Sequence, residues 1–197
     1  MKSKYIFSQQ QTDPINYYYF KDGLDNDDIF RINEESKNLP WQIAVTGKSK
    51  NEKMRMSSIK WLPQEESWGW LYSKLGDMAT LANKAMWNFD LYNMPEEIQY
   101  TEYKSPSGHY DWHTDVGREA PSSRKVSLTI QLSDPDEYEG GNLEMFTAGS
   151  SDGPFTRPPN EKGTVVVFPS YILHRVTPVT SGTRKSLVLW LGGGHFR

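Results

Sequence analysis

The chain contains no cysteine. That excludes disulfides, thiolate metal ligands and thiol nucleophiles, and it fits a reducing compartment. An excess of positive charge is also missing. Lys and Arg number 22 against 25 Asp and Glu, giving a net charge of −3 and a pI near 5.8. A nucleic-acid partner would call for a basic footprint, so no nucleic acid is expected. No apolar run approaches the roughly 18 residues of a membrane span. The opening MKSKYIFSQQ has lysines without an apolar stretch behind them, so it does not read as a signal peptide. The expectation is a cytoplasmic protein without a membrane role. Internal repeats and low-complexity linkers are absent as well. Histidine is scarce, four in all, so the position of each one is informative.

What is present suffices for one domain spanning 1–197, with a core supported by 13% aromatic residues. The texture changes along the chain. Tyr17-Tyr18-Tyr19-Phe20 reads as a strand or sheet edge. Asp25-Asn26-Asp27-Asp28 can cap a helix running through Phe30 and Ile32 towards Lys37. Between 66 and 87, Trp70, Leu71, Leu75, Met78, Leu81, Ala82 and Met86 recur at spacings of three and four, which predicts an amphipathic helix packed on a sheet. From residue 88 onward, short β runs alternate with turn signals. The candidates are 98–104, 109–115, 125–133, 142–146, 163–168, 173–178 and 183–191. Helices first and strands after predict an α+β fold with a barrel or sandwich. The supporting helices fall in about 1–90 and the barrel core in about 91–192. Residues 46–58 and 147–162 are polar and poor in core formers, which predicts long loops flanking a functional mouth. Phe155 and Arg157 in the second are amphipathic anchors suited to an extended peptide.

His113-Thr114-Asp115 and the distant His174 carry the chemistry. Two imidazoles and one carboxylate form the facial set that suits non-haem Fe(II) and leaves positions open for a co-substrate and O2. A strand explains the spacing, because residues 113 and 115 share a face at period two, whereas a helix would part them by roughly 200°. A 2-oxoacid bound at such a metal needs a cation for its far carboxylate. Arg184 supplies a planar fork for it. It follows His174 across a turn marked by Pro178 and Ser181-Gly182, which predicts neighbouring antiparallel strands with both side chains inward. Ser186 and Trp190 share the face of Arg184, and Lys185 takes the other. His109 and His195 read as surface residues.

Taken together, Tyr100-x-x-Tyr103, Gly108-His109-Tyr110-Asp111-Trp112-His113-Thr114-Asp115, Gly140-Gly141-Asn142-Leu143 and the segment from His174 through Arg184 and Ser186 to Trp190 resemble prolyl-4-hydroxylase-type 2-oxoglutarate oxygenases. The resemblance covers about 95–192. It implies a double-stranded β-helix (jelly-roll) barrel, Fe(II) held by His113, Asp115 and His174, 2-oxoglutarate held by Arg184, O2 as oxidant and ascorbate as a candidate reductant. It also implies a hydroxyl from Tyr103 to the co-substrate carboxylate and a further co-substrate contact from Gln131. Tyr110 packs under the metal by the same match. Collagen-type relatives carry Lys where this chain has Arg184, which points to the bacterial and oxygen-sensing branches. The implied activity is hydroxylation of an aliphatic C–H, with a prolyl residue in a peptide or protein as the leading substrate. A free amino acid or other small molecule is the alternative substrate class. A non-enzymatic barrel that binds metal or ligand has no use for a carboxylate clamp such as Arg184 with Ser186.

Overall fold

A computed structural model describes residues 17–44, 51–117, 120–146 and 153–194. Strand β1 (Tyr18–Phe20) leads into helix α1 (Asn26–Glu35). Asp25 caps that helix reciprocally. Its carboxylate accepts from the Asp28 amide at 2.8 Å, and the Asp28 carboxylate accepts from the Asp25 amide at 3.1 Å. The helix stops at Glu35, short of Lys37. A buried lysine, Lys60, donates to the Ser36 carbonyl at 2.7 Å, a cation at the negative helix end. Helix α2 (Gly69–Met86) follows a 3-10 turn at Glu66–Trp68. Leu71, Leu75, Ala79 and Ala82 form its buried stripe. Leu81 does not belong to it and stands 54% exposed, because the stripe advances by four, four and three and leaves position 81 outside.

Two antiparallel sheets follow. The large one runs β1, β12 (Val165–Pro169), β8 (Arg124–Gln131), β14 (Val179–Gly193), β6 (Ile98–Lys104), β4 (Ser58–Leu62) and β2 (Gln42–Ile43). Strand β14 also pairs β9 (Tyr138–Gly140) near its start and β5 (Leu91–Asn93) near its end. The small sheet runs β11 (Phe155–Thr156), β10 (Leu143–Phe146), β13 (His174–Val176), β7 (His109–His113) and β3 (Arg55–Met56). This is the jelly-roll arrangement, with the sheets face to face and not joined into a closed barrel.

The large sheet has two different faces, set by side-chain alternation. Leu128 and Ile130 of β8, and Leu187, Leu189 and Leu191 of β14, pack under the helices with Leu62, Leu71, Leu75 and Ile98. Each such buried aliphatic side chain contributes about 1.5–3 kcal/mol. The intervening residues face the small sheet. There, Met145, Val166 and Phe168 close one end, and Tyr103, Tyr138, Val176 and Val179 close the other. A cavity of about 730 Å3 lies between the sheets.

Two stretches that read as loops are partly strand. In 46–58, residues 46–50 lie outside the described residues, whereas Arg55–Met56 and Ser58 belong to β3 and β4. Their polarity hides them, since the inward face meets a polar cavity wall and not a hydrocarbon core. In 147–162, residues 147–152 lie outside the described residues, and Phe155–Thr156 pairs the edge of β10.

Candidate active site

His113 is the last residue of β7 and His174 the first of β13, and the two are direct partners across the ladder. Their ring centroids stand 4.2 Å apart. Each Nδ1 faces a backbone carbonyl, that of Asp111 at 2.7 Å and of Ile172 at 2.8 Å. A carbonyl only accepts, so the proton sits on Nδ1 and the Nε2 lone pair is free for a metal. The rings cannot swing away. Tyr110 stacks on His113 at 3.4 Å, and Phe168 meets His174 edge-on at 4.8 Å.

Asp115 completes the cluster by a different route from the one its spacing suggests. Strand β7 ends at His113, so Asp115 lies beyond it. Its amide donates to the Ser170 carbonyl at 2.9 Å, and the Asp115 carbonyl accepts from Arg124 Nη1 at 3.3 Å. The carboxylate then lies 3.8 Å from each Nε2, and one donor atom from each of the three residues falls within 4.8 Å of the others. Burial pushes the His113 imidazole down to about 3, and the charge of His174 adds to that, so it is neutral near pH 7. Burial pulls the Asp115 carboxyl up. His174, His113, the Ser127 hydroxyl and Arg124 together outweigh it and hold the group below its ordinary value. A neutral His113 imidazole beside an ionised carboxylate is the pairing of protonation states that a divalent cation needs.

Arg184 does not neighbour His174 on one sheet. Strand β13 pairs β10 and β7, and Arg184 faces it from the large sheet, paired to Tyr103 of β6. Both nonetheless line the cavity, because they project from opposite walls. Arg184 is 4% exposed, with its guanidinium 5.6 Å from the Tyr103 ring and one long contact, 3.4 Å, to Ser186 Oγ. It has no carboxylate partner among the described residues. Gly141 makes room for it, since at φ +58 an added Cβ would stand 3.0 Å from Arg184 Cδ.

Ser186, Val188 and Trp190 share the cavity face of β14, and Lys185 takes the helix side, where it is half-buried. Gln131 does not reach the main cavity. Its amide donates to Tyr138 Oη at 2.8 Å, and it lines a separate space of about 20 Å3 that Arg184 also borders. Phe155 and Arg157 are also absent from the cavity. Leu143 and Met145 of β10 point inward, so Glu144 points out, and Arg157 and Arg175 grip it there at 2.6 and 2.7 Å. Phe155 lies beside Trp112 on that outer face. His109 is half-buried, its ring held by the Ser107 and Lys53 carbonyls, and His195 lies outside the described residues.

Several lining residues carry no signal of their own in the sequence. Arg55 reaches inward from β3 and donates to Gln99 Oε1 at 2.7 Å, with its guanidinium 4.6 Å from the Tyr110 ring. Arg124 is paired to Glu96 and lies 3.7 Å over Trp190. Only the strand pairings bring these residues together.

Residues 98–192 match the family model of the 2OG-Fe(II) oxygenase superfamily. A PKHD-type hydroxylase of Synechococcus sp. (strain CC9605) is 45% identical over 82 residues, 42% of this chain and 36% of that protein. The matched stretch therefore spans little more than a third of that relative. The fold matches a Pseudomonas putida prolyl-4-hydroxylase with a TM-score of 0.67 at 23% identity, covering 91% of this chain and 94% of that one. A Trichoplax adhaerens prolyl hydroxylase, solved with a hypoxia inducible factor oxygen degradation domain peptide fragment, matches with a TM-score of 0.72 at 14% identity over 90% and 84%.

Proposed function

We propose, for a chain whose segment 98–192 belongs to the 2OG-Fe(II) oxygenase superfamily, that the cavity hydroxylates an aliphatic C–H with Fe(II), 2-oxoglutarate and O2. One observation carries this. A three-donor cluster and a buried arginine with no counter-ion among the described residues line the same cavity. Three protein donors leave positions open on the metal, and a lone buried guanidinium is costly until an anion reaches it.

His113 and His174 would hold iron through Nε2, with Asp115 through its carboxylate. Arg184 would bind the far carboxylate of 2-oxoglutarate bidentately, assisted by the Tyr103 hydroxyl and by Ser186. Bound there, the metal supplies oxidative decarboxylation of 2-oxoglutarate to succinate and CO2, coupled to hydroxylation. The chain's own residues orient and exclude. Leu143, Phe168, Val176 and Val188 form apolar walls that keep water from the centre, and the two Nδ1–H bonds fix both imidazoles.

The leading prime substrate is a prolyl residue in a peptide or protein. The cavity reaches the surface at exposed Gln42, Ile43, Thr114 and Gly117, an opening that an extended chain could enter. A small molecule is the second reading, since about 730 Å3 lies within the span of ordinary small-ligand sites. The test is succinate formation from 2-oxoglutarate with Fe(II), with and without ascorbate, alone and with a Pro-containing peptide. Turnover that persists in EDTA or in His174→Ala refutes the activity. Stimulation by the peptide, with gain of one oxygen on proline, distinguishes the substrate classes.

A further inference from the structure

The carboxylate is the one member of the triad that no strand holds, since β7 stops two residues before it. We infer that Ser127 and Ser170 are positioning residues that set Asp115 for the metal, an inference resting on the metal-site reading above.

Ser127 Oγ lies 2.7 Å from Asp115 Oδ2, and Ser170 Oγ lies 2.9 Å from Ser127 Oγ. An ionised carboxylate has no proton to give, so the single Ser127 proton goes to Oδ2. Ser170 must then donate to Ser127, and the relay has one direction. Water does not compete for these bonds, because both serines are 0% exposed. Ser170 grips the main chain as well. Its carbonyl accepts from the Asp115 amide at 2.9 Å and the Val116 amide at 3.2 Å, and its own amide donates to the Lys125 carbonyl at 2.9 Å, two residues before Ser127. Backbone and carboxylate are thus tied to the same edge of the large sheet. Oδ1 accepts no hydrogen bond from the described residues and is the oxygen left for a metal. Packing alone does not explain Ser127. It sits opposite Trp190 and Phe168, where alanine would fill nearly the same volume without the hydroxyl.

The experiment titrates the metal-free full chain with Co(II), following visible d–d absorption and affinity for wild type, Ser127→Ala, Ser127→Thr and Ser170→Ala. Loss of a partner behind a metal ligand lowers affinity about 10- to 100-fold. Ser127→Ala is expected to fall in that range with a shifted band, and Ser127→Thr to bind as wild type. Ser170→Ala is expected to lose less, since the bond to Oδ2 survives. Equal behaviour of Ser127→Ala and Ser127→Thr overturns the inference, because then volume and not the hydroxyl matters. Unchanged affinity in Ser170→Ala also overturns the relay, including when Ser127→Ala does not fold. Wild-type Co(II) binding that His174→Ala leaves intact is a different result. It overturns the metal-site reading itself.

Discussion

Replacing Arg184 by glutamine separates the function of this site from its stability more sharply than any other change. Arg184 is 4% exposed and, among the described residues, meets only the Ser186 hydroxyl and the Tyr103 ring and no carboxylate, so its buried charge is only weakly offset there. The substitution removes that charge and keeps a polar group near Ser186. The metal-bound but co-substrate-free protein should therefore lose no stability, because an isolated buried ion costs free energy. Co-substrate binding should weaken. A charge-assisted hydrogen bond contributes about 1.5–3 kcal/mol, which is about 10- to 150-fold in affinity. A saturating ligand at 100 times its Kd stabilises the folded state by about 2.7 kcal/mol, and a 30-fold weaker one at the same concentration by only about 0.9 kcal/mol. For a domain of this size, 1 kcal/mol corresponds to about 2–4 °C in Tm. Thermal melts with Mn(II), with and without 2-oxoglutarate, should show a large ligand shift in wild type and about a third of it in Arg184→Gln. Arg184→Lys keeps the charge but not the fork and should fall between. Lys185→Gln lies on the helix side of β14 and should leave the shift unchanged. Equal shifts in wild type and Arg184→Gln, or equal losses from positions 184 and 185, would refute the reasoning.

Gly141→Ala places a Cβ 2.9 Å from Val179 Cγ2 and 3.0 Å from Arg184 Cδ at a left-handed φ of +58. It should cost about 1–2 kcal/mol in chemical denaturation and weaken 2-oxoglutarate binding, whereas unchanged binding would mean that Arg184 can shift without loss. Glu144 is 1% exposed and holds Arg157 and Arg175 on the outer face. Glu144→Ala should lower stability by about 1–3 kcal/mol, with iron-dependent turnover per folded molecule preserved; lost turnover would restore Arg157 to the substrate path. The pH dependence follows from His113. Folding lowers its value from 6.5 to about 3, so the unfolded chain binds the proton more readily in that window. Stability of the metal-free protein should therefore fall as pH drops below 6.5 towards about 3, by at most about 1.4 kcal/mol per pH unit. His113→Ala should flatten that slope, and an equally steep slope in the variant would contradict the assignment.

Where the chemistry of a segment matches its local pattern, the sequence is a sufficient guide. Strand 98–104 coincides with β6, since its alternation separates Ile98 and Tyr100 on the helix side from Gln99 and Tyr103 on the cavity side. The Asp25 cap is equally legible, because capping is a local matter. The triad is legible through its spacing, but for a partly mistaken reason. Alternation along one strand does not place Asp115, which instead bonds the Ser127 hydroxyl, 12 residues on, and the more distant Ser170 carbonyl. Arg55 is hidden in a stretch that reads as a polar loop, and its partner Gln99 lies 44 positions on. Phe155 and Arg157 are a different case. Their composition suits a binding loop, and the structure places them against Trp112 and Glu144, outside the cavity lining.

The charges of the cavity bear on what it is built to hold. Arg124 is cancelled by Glu96. Arg55 is stabilised by Gln99, Ser57 and the face of Tyr110. Its positive charge is solvated but not cancelled, so Arg55, Arg184 and Asp115 together leave the lining with one net positive charge, and Arg184 and Asp115 project from opposite walls and make no ion pair. A divalent cation at the triad adds two positive charges beside Asp115, and a dianionic 2-oxoacid spanning to Arg184 removes them. The cation alone adds to the positive charge already on the lining, and the dianion offsets what the cation adds. In a low-dielectric interior such an imbalance is costly, so each guest should strengthen the binding of the other, by the reciprocity that governs any coupled pair of sites. A closed structural metal site would have surrounded its ion with donors and left no charge waiting on the far wall. Among the described residues the donor set stops at three and Arg184 has no carboxylate partner, the arrangement expected of a site whose anion arrives with the co-substrate.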